Sequence, residues 1–125
     1  MLAQVVQELR QHVLDLARAS REQPTLLLKH LEVSGRLLQH VAEALRRGKQ
    51  VLVLLPEIAL TEQFLRRFEQ RFGVYPAEWH SEVTPKNRAR TWRGVASGDV
   101  RVVIGARSAL FLPFVELGLI IVDEE

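Results

Sequence analysis

Three short apolar runs constrain the fold of this chain more than any other feature. They read VLVLL at residues 51–55, RVVIG at 101–105 and LIIV at 119–122. None of them alternates apolar with polar residues, so each predicts a strand that is buried on both faces, as in a parallel sheet covered by helices. Stretches with apolar residues at helical spacing separate them. Strands that alternate with helices in this way indicate a parallel α/β fold.

The remaining elements of such a fold can also be recognised in the sequence. Apolar spacing predicts a helix up to about residue 20, a strand at 25–28, helices over 33–45 and 60–72, and a short strand at 77–80. Thr84 and Pro85 combine a capping hydroxyl with a proline at the first turn, so they predict the start of a further helix that ends near Gly98. The predicted architecture is a three-layer α/β domain with a parallel sheet of about five strands.

The chain ends in LGLIIVDEE, where acidic residues directly follow a buried strand. Ligands of parallel α/β sheets bind at the carboxyl ends of the strands. Asp123 and Glu124 therefore have the form of a Walker B motif, in which the first acid holds Mg²⁺ and the second orients or deprotonates the attacking water. The alternative is that these acids only cap the element that follows the strand, and the residues alone leave both interpretations open.

Composition excludes several classes of protein. The 125 residues, 47% of them hydrophobic, suffice for one domain with a core of its own. The sequence has no cysteine and no apolar run that could span a membrane, so we expect a cytoplasmic protein without disulfides, thiolate zinc or a membrane partner. Its four histidines share no metal-ligand spacing, and no metal site is expected from them.

Basic residues are concentrated in one segment, although the formal net charge is only +2. Between residues 86 and 107 a single acid, Asp99, accompanies six cations: Lys86, Arg88, Arg90, Arg93, Arg101 and Arg107. This segment is either a phosphate-facing surface or a solvated helix face. Trp92 falls on the inward stripe of its predicted helix and is expected in the core. Trp79, at a strand end, is expected to be more open and is the better candidate for stacking on a base.

Longer stretches of the sequence resemble a known family. GKQVLVLLPEIALTEQFLRRFEQRFG (48–73) is similar to the motif Ia region of the PriA family of primosomal replication-restart helicases, which belong to superfamily 2. WHSEVTPKNRARTWRGVASGDVRVVIGARSALFLPFVELGLIIVDEE (79–125) is similar to the stretch from motif Ib into motif II. PEIALT, RSALFLPF and LGLIIVDEE in this order are far more specific than any one of them. The resemblance implies a RecA-like first helicase lobe, with Asp123 and Glu124 as its motif II acids.

The resemblance also implies cofactors, partners and DNA-contacting residues. The family uses ATP and Mg²⁺ and acts on forked or single-stranded DNA together with primosome and single-strand-binding proteins. Thr61 and Gln63 in motif Ia, and Arg107 and Ser108 in motif Ib, correspond to the DNA side of the lobe. Ser108 could cap a short helix whose amides face a phosphate. The open alternative is that Ser108 is only a cap and that Arg107 pairs with an acid such as Glu57.

The phosphate-binding loop of the family has no counterpart here. The family carries a glycine-rich turn ending Gly-Lys-Thr between its first strand and helix, whereas this chain reads KHLEVSG at residues 29–35. By residue count, the lysine position falls near Val33 and the hydroxyl position near Ser34. Glu32 beside them places a negative charge where the phosphates would lie. Glycines allow several backbone amides to point at one phosphate, so no nucleotide or other cofactor is expected to bind.

The expected function combines this resemblance with this departure from it. Residues 1–125 are interpreted as a single RecA-like lobe, a fragment or domain of a longer protein that ends within motif II. We expect part of a replication-restart protein that binds branched DNA and primosome partners as a pseudo-helicase, without ATP turnover. Two alternatives stay open: an active ATP-dependent 3′-to-5′ helicase lobe in which Lys29 or Arg36 replaces the missing lysine, and a purely structural lobe that packs against other domains.

Overall fold

The computed structural model describes residue 11 and residues 25–29, 35–55 and 62–123. In chain order its elements are β1 (Thr25–Lys29), α1 (Gly35–Arg46), β2 (Gln50–Leu54), α2 (Glu62–Phe72), β3 (Ala77–Trp79), α3 (Pro85–Ser97), β4 (Val102–Gly105), a 3₁₀ helix (Arg107–Phe111) and β5 (Leu117–Asp123). Of the predicted first helix, only Gln11 lies within the described residues. No helix in the described part of the chain is long and apolar enough to cross a membrane.

The five strands form one parallel sheet in the order β1-β5-β2-β4-β3. The prediction of a parallel α/β sheet of about five strands is therefore confirmed. The last strand, β5, lies between β1 and β2, so the chain crosses the sheet before it ends. This crossing places the acidic end of β5 beside the end of β1.

Two helical layers cover the sheet, one on each face. Successive side chains on a strand point to opposite faces, so each uninterrupted apolar run contributes to both layers. On one face, α1 and α2 pack on the strands through a cluster formed by Val41, Ala44, Val51, Val53, Leu65, Phe68, Val102, Ile104, Leu119 and Ile121. On the other face, α3 and the 3₁₀ helix pack on the strands through a cluster formed by Leu52, Leu54, Trp79, Val95, Val103, Ala109, Leu110, Leu112, Leu117 and Ile120.

Helix α3 begins and ends where the sequence predicts. The Thr84 hydroxyl accepts a hydrogen bond from the backbone N–H of Asn87 at 3.2 Å, and Pro85 is the first helical residue. At the other end Gly98 has a φ of 86°, a left-handed conformation that glycine adopts without a Cβ penalty, and its N–H donates to the carbonyl of Val95. Because β3 precedes this helix, α3 starts at the carboxyl edge of the sheet.

A buried glutamine ties the opposite, amino edge of the sheet together. Gln50 is 1% exposed, and its Nε2 donates to the carbonyls of Val95 at 3.1 Å and Val100 at 2.9 Å. Its Oε1 accepts from the backbone N–H groups of Val115 at 3.0 Å and Glu116 at 2.9 Å. One side chain thus joins the end of α3, the turn into β4 and the segment before β5.

Candidate nucleic-acid interface

The candidate site residues gather at the edge where the parallel strands end. Gly105, the last residue of β4, pairs in register with Leu54 of β2 and with Trp79 of β3. On the other side of the sheet β1 and β5 end together, with Lys29 paired with Asp123. The segments that follow these strands therefore all begin at the same edge of the sheet, the carboxyl edge.

The backbone beyond β4 is held in a narrow space. A Cβ atom on Gly105 would lie 2.0 Å from the carbonyl oxygen of Trp79, so no larger residue fits without moving β3. The N–H of Ala106 donates to that same carbonyl at 2.9 Å, and the carbonyl of Gly105 accepts from the N–H of Leu55 at 3.0 Å. These contacts fix the direction in which the chain leaves the sheet, and with it the position of Arg107.

Arg107 and Ser108 open the 3₁₀ helix, and both are exposed. The next residue, Ala109, is fully buried against the sheet and anchors this turn. The cap position belongs to Ala106, which offers no side-chain hydrogen bond. The expectation that Ser108 caps a short helix is therefore wrong, because Ser108 lies inside the helix and not before it. Arg107 makes no ion pair with another described residue, and Glu57 lies outside the described residues.

Gln63 is the second residue of α2 and is exposed in its first turn. Helix α2 follows β2, the neighbour of β4, so Gln63 and Arg107 belong to the elements that follow two adjacent strands. They lie in opposite helical layers, since α2 covers one face of the sheet and the 3₁₀ helix the other. Thr61, the other motif Ia candidate, lies outside the described residues.

The six cations between residues 86 and 107 divide into structural and exposed groups. Arg88 donates to the carbonyl of His80 at 2.8 Å and to that of Val83 at 3.2 Å, and its guanidinium lies 5.3 Å from the ring centroid of Trp79. These contacts hold the turn between β3 and α3. Arg88 is therefore a structural residue and not a phosphate ligand.

Arg101 is the second structural cation. Its Nη2 donates to the carbonyl of Leu45 in the last turn of α1, where a positive charge is favourable because the helix dipole places partial negative charge there. The cations of the segment that remain exposed are Lys86, Arg90, Arg93 and Arg107. The basic segment thus contributes four side chains to the surface and not six.

The two tryptophans have exchanged the environments expected from the sequence. Trp79 is only 9% exposed and lies in the core beneath α3, whereas Trp92 is 46% exposed. Both expectations were wrong, because the buried stripe of α3 is formed by Thr91 and Val95 and leaves Trp92 at its border. The Trp92 ring packs against the Trp79 ring, with centroids 6.4 Å apart and planes inclined at 43°.

Comparison with known proteins assigns the chain to a family. The family profile described as "DEAD/DEAH box helicase" matches residues 33–125. The chain belongs to the DEAD/DEAH box helicases. This assignment agrees with the parallel sheet and with the acidic end of β5.

Several relatives that share one name also match the chain. Replication restart protein PriA of Rickettsia conorii is 56% identical over 85 residues, or 68% of the chain, and that of Rickettsia typhi is 44% identical over an alignment of 128 residues that covers the whole chain. PriA of Bacillus subtilis is 43% identical over 109 residues, or 85% of the chain. The chain is homologous to part of PriA, which confirms the resemblance. It spans only 13%, 19% and 14% of these relatives' lengths.

The position at which this helicase family holds its nucleotide can be tested against the residues present. The chain between the end of β1 at Lys29 and the start of α1 at Gly35 reads HLEVS and contains no glycine. Glu32, Val33, Ser34 and Glu124 lie outside the described residues. Among the described side chains, no three of the types that bind metals are grouped as a metal site. Asp123 ends β5 at the carboxyl edge of the sheet, in register with Lys29. The sequence HLEVS contains neither the glycines nor the lysine of a phosphate-binding loop.

Proposed function

We propose that the chain is the first RecA-like lobe of a PriA-like replication-restart protein, and that this lobe binds forked or single-stranded DNA without turning over ATP. The observation that carries DNA binding is the placement of Arg107. This arginine is exposed at the carboxyl edge of the sheet, follows a backbone turn fixed by Gly105, and has no ion-pair partner among the described residues.

The proposed DNA contacts are made to phosphate and not to bases. Arg107 supplies positive charge, and Ser108 beside it supplies a hydroxyl. The amide of Gln63 is a further neutral donor, from the helix that follows the neighbouring strand β2. Such contacts orient a nucleic acid without reading its sequence. Thr61, close to Gln63 in the sequence, is proposed as a further donor. A protein that acts at replication forks of any sequence requires this type of recognition.

The absence of ATP turnover is proposed from the five residues between β1 and α1. A phosphate-binding loop neutralises its ligand with backbone amides and a lysine, and HLEVS has neither the glycines nor the lysine. Glu32 would repel the phosphates. Asp123 and Glu124 are then retained motif II acids without a nucleotide to act on, and no catalytic step is assigned to them.

The wider role is proposed from the relatives. They are named replication restart proteins, and the chain spans less than a fifth of their length. We therefore propose that primosome proteins, single-strand-binding proteins and other domains of the parent protein are the partners of this lobe. Within that assembly the lobe would supply a surface for branched DNA.

One observation favours a second candidate, an active ATP-dependent 3′-to-5′ helicase lobe. Lys29 is the register partner of Asp123, so a basic residue ends β1 directly beside the motif II strand. An amine starting from this position could substitute for the missing lysine. It would not restore the amide nest, and for this reason the scaffold without turnover is preferred.

Titration of a labelled fork, followed by fluorescence anisotropy, tests the DNA surface. Arg107→Ala is expected to weaken binding and to reduce the slope of log K against log salt by about one, because one phosphate contact is lost. The matched control is Arg46→Ala, which removes the same charge from the exposed last turn of α1 at the amino edge. The ion pair of Arg46 with Glu43 (3.2 Å) is exposed and contributes little.

The possible results of this titration separate the proposals. Weaker binding by Arg107→Ala with unchanged binding by Arg46→Ala supports the proposed surface. Equal binding by both variants, with unaltered circular dichroism, removes Arg107 from it. A chain that binds no fork at any salt concentration is a purely structural lobe.

A further inference from the structure

Helix α3 combines an exposed indole with positive charges that no acidic residue of the helix itself offsets. Its sequence, PKNRARTWRGVAS, contains one lysine and three arginines and no acidic residue. Trp92 lies in the middle of this helix with 46% of its surface exposed. Neither the family assignment nor the motifs described above give this residue a role.

The outer part of the Trp92 ring is left uncovered by its neighbours on the helix. Residues three and four positions apart on a helix adjoin one another. For Trp92 these neighbours are Arg88, Ala89, Val95 and Ala96. Val95 is buried and the Arg88 guanidinium is bound to the carbonyls of His80 and Val83, whereas the two alanines are exposed and too small to lie over an indole. The inner part of the ring is supported by Trp79. Trp92 thus packs against Trp79 and keeps part of its ring exposed to solvent.

The charge of α3 indicates what could cover this ring. Four cations and no acid give this helix a charge that complements a phosphate backbone, and single-stranded nucleic acids bind where cations accompany exposed aromatic rings. Arg93, the next residue in the sequence, is also exposed and lies about 100° further round the helix. The bases of duplex DNA are stacked on one another, so the matching ligand is an unpaired strand.

The position of Trp92 is compatible with a strand that also contacts Arg107. Helix α3 starts at the carboxyl edge, and Trp92 lies seven residues after Pro85, about 10 Å along the helix at 1.5 Å per residue. Strand β3, which leads into α3, pairs with β4, which leads to Arg107. Trp92 and Arg107 therefore belong to elements that follow adjacent strands and cover the same face of the sheet.

We propose that Trp92 stacks on an unpaired base of single-stranded DNA while Arg93 contacts the adjacent phosphate. This inference rests on the proposed DNA binding of the lobe and extends it from phosphate contacts to a base contact. Stacking is tolerant of sequence, because every base has a flat face. The occupant is a single strand and not another protein.

Tryptophan fluorescence gives a direct test, because the chain has only two tryptophans. In the 125-residue chain with Trp79→Phe, all tryptophan emission comes from Trp92, and oligothymidine is expected to quench it as a base stacks on the indole. The matched control is the Trp92→Phe chain, in which emission comes from the buried Trp79. That emission is expected to change little on the same titration.

Affinities provide the second test. Trp92→Ala is expected to bind oligothymidine about five- to tenfold more weakly, and Trp92→Phe is expected to retain most of the affinity, because it keeps an aromatic ring. The salt slope is expected to stay the same for Trp92→Ala but to fall for Arg107→Ala. The wild-type chain is expected to prefer oligothymidine over an abasic strand of equal length, and Trp92→Ala to lose this preference.

The outcomes distinguish base stacking by Trp92 from the proposed phosphate contact of Arg107, on which it rests. If Arg107→Ala weakens binding while Trp92→Ala binds normally and Trp92 emission is not quenched, stacking is refuted and the phosphate surface stands. Equal losses by Trp92→Ala on oligothymidine and on the abasic strand also refute stacking. Self-association that Trp92→Ala abolishes, without quenching by DNA, would assign the ring to a protein contact. A wild-type chain that binds no single strand would refute both proposals.

Discussion

Replacing Gln50 with leucine is expected to destabilise the lobe by about 3 kcal/mol, although leucine is similar in size and apolar. The side chain makes four hydrogen bonds of 2.9–3.1 Å, two as donor and two as acceptor. Each such bond contributes about 1 kcal/mol net. One acceptor, the carbonyl of Val95, keeps a second bond from the N–H of Gly98 at 3.2 Å, so the expected loss is nearer three bonds than four.

Urea unfolding followed by circular dichroism measures this loss. With an m value of about 2 kcal/mol per molar urea, the midpoint of Gln50→Leu is expected to fall by about 1.5 M at unchanged m. The matched control, Gln70→Leu, makes the same replacement at an exposed position of α2 and is expected to change stability by less than about 0.5 kcal/mol. If Gln50→Leu also loses less than that, the four bonds do not hold the amino edge together, and the reasoning is refuted.

Three further substitutions test local features of the fold by the same unfolding assay. Gly105→Ala is expected to cost about 3 kcal/mol or more, because its Cβ would overlap the Trp79 carbonyl. The control, Gly73→Ala, has a φ of 69° and open space around the added Cβ, and should cost about 1 kcal/mol. Equal losses would contradict the close approach of β3 and β4. Thr84→Ala is expected to cost about 1 kcal/mol and Thr84→Ser much less, since serine keeps the capping oxygen; equal effects would refute the cap. Arg88→Lys is expected to cost about 1–2 kcal/mol, because an ammonium cannot reproduce the forked donors to two carbonyls, and a stability equal to wild type would show that this turn does not depend on them.

Apolar pattern and turn chemistry predicted most of the elements, because both are local properties of the sequence. The runs at 51–55, 101–105 and 119–122 became the three central strands, as fully buried strands must. Thr84 and Gly98 bound α3 as their capping chemistry requires. The strand order could not be read in this way, because the insertion of β5 between β1 and β2 depends on contacts between distant parts of the chain.

Side-chain environments were predicted less well than elements. Trp92 was expected in the core because its spacing puts it on the inward stripe of the predicted helix, but Val95 and Thr91 form the buried stripe of α3. Gln50 gave no signal at all, since a polar residue before a strand normally faces water. Its partners are backbone groups 45 to 66 residues away, and only the tertiary structure brings them together.

The role of the candidate site stays a prediction. Arg107, Ser108 and Gln63 are exposed in elements that follow adjacent strands. Of the six cations in the basic segment, however, Arg88 and Arg101 are bound to backbone carbonyls within the fold. Charge in the sequence does not distinguish a guanidinium that faces solvent from one that closes a turn.

Titration of a fluorescent ATP analogue with Mg²⁺ tests most directly whether this lobe works without nucleotide. The control is the corresponding stretch of a relative with an intact Gly-x-x-x-x-Gly-Lys-Ser/Thr loop, measured under the same conditions. We predict no saturable binding to the 125-residue chain where the control saturates. Saturable binding that is lost in Asp123→Ala would contradict the account and would make Lys29, the register partner of Asp123, and Arg36 the residues to test for the missing phosphate contact.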